Sequence, residues 1–272
     1  MYYVCKPTKI QLYINTGRKS ASAIKKELGC DVLINGGLFD MTRFTPNCWL
    51  RADGRTLHME NWSDFGFGWD TDELVLNTSD NVRNYDNFIS CVCIVKDGKT
   101  VNLYNPPELG GRRGRSAIGV RADGSVIVFC TQDGTSWAMT PDMLQAEMRS
   151  LGAVNALMLD GGGSSQCIFP NGSIPSQRIV HNYIAVWTQN TQTANPQIPA
   201  CPYTEPKHNV RWGSIGEGAR WVQWQLNRHG ANLDVDGWFF GQSVEALRRF
   251  QHEHGLAWDG ICGEKTREEL RK

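Results

Sequence analysis

Asn155-Ala-Leu-Met-Leu-Asp-Gly-Gly-Gly-Ser-Ser165 is the stretch on which the reading of this chain turns. Its apolar run reads as a buried strand. A carboxylate, three glycines and two hydroxyls follow at the strand's end. Consecutive glycines let backbone N–H groups approach an anion closely, and serines add hydrogen-bonding oxygens. The lysine and spacing of a phosphate-binding Walker loop are missing, and so is the spacing of a dinucleotide fingerprint. Open sheets present ligands at strand ends. Asp160, Gly161, Gly162, Gly163, Ser164 and Ser165 are therefore read as a site, in preference to a glycine turn capped by Asp160.

Upstream, Thr140-Pro141 supplies an N-cap and an N1 proline for a helix with Leu144, Met148 and Leu151 on one face, ended by Gly152. Three Asp-Gly pairs, at 53–54, 97–98 and 123–124, lie between strand-like runs and signal hairpins. Ser20 to Leu28 reads as a helix stopped at Gly29. Asp31-Val-Leu-Ile34 then reads as a strand, and Tyr183 to Trp187 as the last strand of this block. Hairpins with a few helices give an α+β class with a mixed or antiparallel sheet.

From Thr188 to His208 the text is proline-rich, polar and almost uncharged, which describes a semi-extended tether. The expected organisation is residues 1–190 as one domain, 191–207 as linker and 208–272 as a small all-α three-helix domain. In that last block, Val222 and Leu226 mark one helix, stopped at Gly230. A second opens at Ser243 and stops at Gly255, and Thr266-Arg-Glu-Glu269 reads as a capping box opening a third. Asp236-Gly237 and Asp259-Gly260 stand before the second and third helices, an internal repeat of turn then helix.

Further candidates flank the glycine loop. Asn35-Gly36-Gly37 ends a strand in the same manner. Arg115, beside Arg112 and Arg113, immediately precedes the Ser116 strand and could hold a phosphate through its planar fork. Asp133 offers a second carboxylate for acid–base work, and His181-Asn182 precedes the last strand. No nucleophile elbow is present, and His252 and His254 diverge on a helix, so neither a triad nor a catalytic zinc is expected.

With 28 basic and 28 acidic residues, net charge draws the chain to neither nucleic acid nor an anionic membrane. No apolar run reaches the ~20 residues a membrane helix needs, and the start lacks the pattern of a signal peptide. Nine cysteines without a C-x-x-C pair are expected to be buried reduced thiols of a protein made in the cytoplasm.

Three segments together resemble the phosphodiester glycosidase family: Val32 to Asp40, Arg115 to Gly124 and Leu151 to Ser165. An animal member of that family removes N-acetylglucosamine from N-acetylglucosamine-1-phospho-mannose groups. The resemblance covers roughly residues 30 to 187 and implies cleavage of a sugar-1-phosphate diester. It matches poorly between Asn61 and Asn102. The terminal block resembles the type 1 peptidoglycan-binding domain, through Val222 to Leu226, Asp234 to Gly237, Val244 to Gln251 and Asp259 to Thr266. That family's D-G-x-F-G turn reads Asp236-Gly-Trp-Phe-Phe-Gly241, with Phe240 where glycine is expected. A turn requiring φ > 0 there would strain Phe240.

The joint expectation is a wall-directed hydrolase acting on a phosphate-containing wall glycan and anchored to peptidoglycan. Release would follow lysis or a holin, as for a phage lytic protein. The alternative is a non-catalytic protein that binds wall glycan. Catalytic candidates are Asp160, Asp133, Arg115 and Asn35. Substrate-binding candidates are Gly36, Gly37, Gly161 to Gly163, Ser164, Ser165, His181 and Asn182. Either glycine loop could supply backbone donors, and either aspartate could face the anomeric carbon. No cofactor is expected, though Asp-rich loops would accommodate Ca²⁺.

Overall fold

The computed structural model describes residues 1–59, 63–103, 110–176, 178–188, 201–229, 231 and 233–271. The chain divides into two compact units, Met1–Asn195 and Pro196–Lys272.

The first unit is built from antiparallel sheets. The six-stranded sheet runs Tyr2–Cys5, Val126–Cys130, Ser116–Arg121, Ala153–Met158, Val92–Lys96 and Lys99–Thr100. A five-stranded sheet runs Gly172–Ile174, Cys167–Phe169, Val32–Asn35, Asn182–Thr188 and Pro7–Ile14. The other five-stranded sheet runs Arg55–His58, Leu50–Ala52, Asn87–Ser90, Phe65–Trp69 and Val75–Thr78. Three of its strands, Asn87–Ser90, Phe65–Trp69 and Val75–Thr78, fall where the family resemblance is poor. Ile34, Ile118, Val128, Leu157, Leu159 and Ile184 join one apolar core, and the strand ends that close over it carry the candidate loops.

Local chemistry explains the connections. Asp53-Gly54 joins Leu50–Ala52 to Arg55–His58 with both residues at positive φ, and Asp97-Gly98 does the same between its strands. Such a pair matches the twist of a two-residue hairpin. Helix Ala21–Leu28 starts at Ser20, whose hydroxyl accepts the Ala23 N–H, and stops at left-handed Gly29. Helix Pro141–Ser150 starts at Thr140, whose hydroxyl accepts from Met143, and buries Leu144 and Met148. All nine cysteines are free thiols, with Cys93 and Cys201 partly exposed and the rest buried.

The second unit holds helices Glu217–Arg228, Gly241–Glu253 and Glu264–Leu270 around Trp221, Leu226, Phe239, Leu247 and Phe250. It is not purely helical, because Ser214–Ile215 pairs antiparallel with Trp238–Phe239. The linker reading divides: residues 189–200 lie outside the described residues, whereas Cys201 and Tyr203 pack against this unit's core. Gly230, expected to stop the first helix, is also outside them.

Three local expectations are corrected. The second helix opens at Gly241, not at Ser243, whose hydroxyl accepts the Gln223 Nε2 at 3.1 Å. Thr266 does not cap its helix, which begins at Glu264 after Gly263. Its hydroxyl instead accepts the Gln251 Nε2 at 3.2 Å. Phe240 bears no strain, because its backbone is extended (φ −120°, ψ −159°) and any residue adopts that conformation.

Candidate active site

Two glycine loops from different sheets are stitched together. Strand Val32–Asn35 delivers Asn35-Gly-Gly37, and strand Ala153–Met158 delivers the Asp160 loop. The Asp160 N–H donates to Gly36 O at 3.1 Å. Asn35 Nδ2 donates back to Asp160 O at 2.8 Å. Asn35 Oδ1 accepts from Ser116 Oγ at 2.6 Å and from the Gln166 N–H at 3.1 Å. Asn35 is fully buried and bonded through both its amide oxygen and its amide nitrogen, so it holds the Asp160 backbone in place.

Asn182 performs the same office for the other loop. Its Oδ1 accepts the Gly37 N–H at 2.8 Å, while its own carbonyl accepts the Gly36 N–H at 2.9 Å. A Cβ on Gly36 would fall 1.9 Å from Asn182 Oδ1, so only glycine fits that approach. His181 stacks on Phe39 with centroids 6.4 Å apart and meets Phe44 edge-on at 5.5 Å. Burial holds its pKa below the usual histidine value, so the ring is neutral at pH 7.

Beyond Asp160, Gly162–Ser164 forms one 3₁₀ turn with Gly162 at φ +58°. The Ser164 and Ser165 N–H groups are spent inside it, on Gly161 O and Gly162 O. Gly114 packs against this turn. Its carbonyl accepts the Gly162 N–H at 2.8 Å, and its N–H donates to Asp133 Oδ1 at 2.7 Å. Asp133 is thereby brought beside the glycine loop, with its carboxylate exposed.

The Asp160 carboxyl is pushed up to about 6. Burial drives the rise. The Ser164 hydrogen bond, the Arg178 charge and the Gly161 N–H oppose it without cancelling it. Arg178 was not singled out in the sequence, where it is a lone cation in an irregular stretch before His181. Its Nη1 donates to Ser164 Oγ at 3.1 Å, and its guanidinium lies across Gly163, whose Cβ would fall 2.9 Å from Nη2. Gln166 pins it from behind by donating to Arg178 O at 2.9 Å.

Arg115 departs from expectation. It is only 3% exposed and turns inward. Its Nε donates to Met139 O at 2.9 Å and its Nη2 to Gly111 O at 2.9 Å. Burial first, then the neighbouring Arg113, lowers its pKa. Backbone carbonyls, which only the folded loop assembles, occupy the fork that was expected to take a phosphate. Among the described residues no group of three or more His, Cys, Asp or Glu is placed to hold a metal ion.

The loops thus gather one carboxylate poised near neutrality, a second at the rim, and a guanidinium half open to solvent. Residues 28–187, over half of the chain, match the family model described as phosphodiester glycosidase. The chain belongs to that family. Residues 215–270 match the model of a putative peptidoglycan binding domain, so the family's domain is joined here to a second one. The catalytic domain of zebrafish N-acetylglucosamine-1-phosphodiester alpha-N-acetylglucosaminidase, auto-inhibited by its pro-peptide, is similar in fold. The likeness has TM-score 0.56 and 18% identity over 66% of this chain and 73% of that one. A hypothetical protein from Synechocystis gives TM-score 0.57 and 13% identity, over 69% of this chain and 59% of that one. A prophage-derived uncharacterized protein of Bacillus subtilis (strain 168), YomE, is 36% identical over 102 residues. That match covers 36% of this chain and 15% of the relative's length.

Proposed function

We propose that this protein hydrolyses the glycosidic bond of a sugar-1-phosphodiester in a phosphate-containing wall glycan, while its C-terminal unit holds it on peptidoglycan. The observation that carries the reading is the Asp160 carboxyl, raised to about 6 at the rim of the glycine loop with Arg178 and Ser164 converging on it.

A phosphate is a good leaving group, so departure needs little proton donation, unlike that of an ordinary sugar ether. The demands are a carboxylate near the anomeric carbon and a cation on the phosphate. At pH 7 Asp160 is mostly ionised. It takes the proton of an attacking water or attacks the anomeric carbon itself, and Asp133 is the second carboxylate of the rim. The C1–O bond breaks and its electrons leave with the phosphate. Water supplies the hydroxyl at C1, and the products are a free sugar and a phosphate monoester. Arg178, rather than the inward-turned Arg115, holds the phosphate, whose charge grows as the bond breaks. Asn35, Asn182 and Arg115 are positioning residues. Gly161, Gly163 and the Gly36–Gly37 loop shape the floor on which the sugar lies, with His181 and Ser165 behind it.

Membership of the phosphodiester glycosidase family and the second domain's match support a wall-associated enzyme. The prophage origin of a relative supports a phage setting, in which action at the wall would follow lysis or holin-type release. Among the described residues no helix is long and apolar enough to cross a membrane. Purified phosphate-containing walls incubated with the protein should gain phosphate-monoester ends and free sugar in equal amounts, read by mass spectrometry. Binding to walls without release of either would instead favour a non-catalytic glycan-binding protein.

A further inference from the structure

The second unit contains one hydrogen-bonded clasp built twice. In one copy Gln223 Nε2 donates to Asp236 Oδ1 at 2.8 Å and Ser243 Oγ at 3.1 Å, while Gln223 Oε1 accepts the Gly237 N–H at 2.8 Å. In the other, Gln251 Nε2 donates to Asp259 Oδ1 at 3.2 Å and Thr266 Oγ1 at 3.2 Å, while Gln251 Oε1 accepts the Gly260 N–H at 2.9 Å. The two copies show which side chains the scaffold requires. Phe239 and Cys262 fill equivalent places and both are fully buried. Ile261 stands where Trp238 stands, each donating its N–H to the clasp aspartate. Gly263 stands where Phe240 stands, each just before its helix in extended backbone.

The scaffold therefore needs neither the Trp238 indole nor the Phe240 ring. Trp238 lies on the surface with Trp212, and Phe240, half-buried, packs against both. Phe240 is 5.6 Å from Trp212, edge to face, and 6.0 Å from Trp238. Trp212 is 65% and Trp238 58% exposed. Clustered aromatic rings left in water are the signature of a contact surface, and flat rings with a polar edge suit the C–H faces of sugars. Trp212 also borders a pocket of about 360 Å³ that includes Arg211, Glu245, Arg248 and Asp259. Arg248 pairs with Glu245 at 3.2 Å. The Asp259 carboxylate is used by Gln251 and the Ile261 N–H. No hydrogen bond or ion pair engages the Arg211 guanidinium among the described residues. The two arginines balance Glu245 and Asp259 in formal charge, but the Arg211 guanidinium is the group left open to an anionic end of an occupant.

We propose that Trp212, Phe240 and Trp238, with Arg211, form the surface on which this unit takes a peptidoglycan strand. Its sugar rings lie on the aromatic platform, and a stem-peptide carboxylate meets Arg211. The proposal rests on the reading of this unit as wall-binding.

The test is sedimentation of the full chain with purified peptidoglycan stripped of other polymers. Trp212→Ala and Phe240→Gly should each weaken binding by about tenfold or more, the scale of a buried aromatic anchor. Arg211→Gln should weaken binding and flatten its salt dependence. Gly263 shows that glycine serves the backbone at Phe240, so the melting temperature and the hydrolysis of a small soluble diester should stay as in the parent. Parent-like binding by all three variants would overturn the surface while leaving wall-binding intact. Loss that appears only with a lowered melting temperature would also overturn it. Failure of the parent to sediment would remove the wall-binding reading, and this proposal with it.

Discussion

Replacing Asp160 by asparagine should abolish turnover and stabilise the protein. Folding raises the Asp160 pKa from 3.8 to about 6, chiefly through burial. The native state therefore holds the proton more tightly than the unfolded chain does, and ionisation works against folding. The sign follows: stability from this group falls as pH rises from about 4 to about 6, and the full loss stands above that window. A rise of that size corresponds to about 3 kcal/mol. Asparagine keeps the oxygen that accepts from Ser164 and Gly161 but cannot ionise. At pH 7.5 the first unit of Asp160→Asn should melt roughly 6–12 °C above the parent, from the entropy of unfolding of a domain this size. The gain should shrink to nothing near pH 4. Thermal unfolding of both proteins across pH 4–8, followed by near-ultraviolet circular dichroism, reads the difference. Rates on a soluble diester should fall in the same variant by on the order of 10²-fold or more. An equal or lower melting temperature at pH 7.5, or a gain that persists at pH 4, would refute the assignment of a carboxyl whose ionisation works against folding.

The kcat/KM of the parent should rise with pH through about 6, since a base or nucleophile must be ionised; a fall across that range would make Asp160 a proton donor. Arg178→Ala should cut activity on phosphodiesters and spare a nitrophenyl glycoside of the same sugar, whereas Arg115→Ala should chiefly lower stability, by roughly 1.5–3 kcal/mol per charged hydrogen bond lost; comparing rates on the two substrates with melting temperatures separates the roles. Gly36→Ala places a methyl 1.9 Å from Asn182 Oδ1 and should lose both activity and thermal stability; parent-like behaviour would dissolve the stitched-loop account.

What the sequence disclosed was mostly local. Asp53-Gly54 and Asp97-Gly98 make the hairpins expected of them, because the positive φ angles those turns need are a property of the two residues. Thr140 caps as read, for the same reason, and Ser20, read as the first residue of its helix, is the cap just before it. The Asp160 and Asn35 loops were visible as glycine runs after apolar strands. That they bond to one another depends on pairing between distant strands, which no short window records. Arg115 could not be placed from sequence because guanidiniums bind phosphates and carbonyls with the same fork, and only the fold brings Met139 O and Gly111 O to it. Arg178 has no periodic or compositional mark; only the fold lays its guanidinium across the turn at Gly163. Thr266 shows a motif outbid by a distant partner, since its hydroxyl answers to Gln251 across the unit.

The central claim is cleavage of a sugar-1-phosphodiester at its glycosidic bond. Phosphorus nuclear magnetic resonance on a defined N-acetylglucosamine-1-phosphodiester, treated with the full chain in water enriched in oxygen-18, tests it most directly. The account predicts that the diester signal converts to that of a monoester, that the label enters the sugar hydroxyl and not the phosphate, and that Asp160→Asn leaves the diester intact. Label in the phosphate would place the cut at the P–O bond, and an unchanged diester signal from the parent would deny the activity; either result contradicts the account.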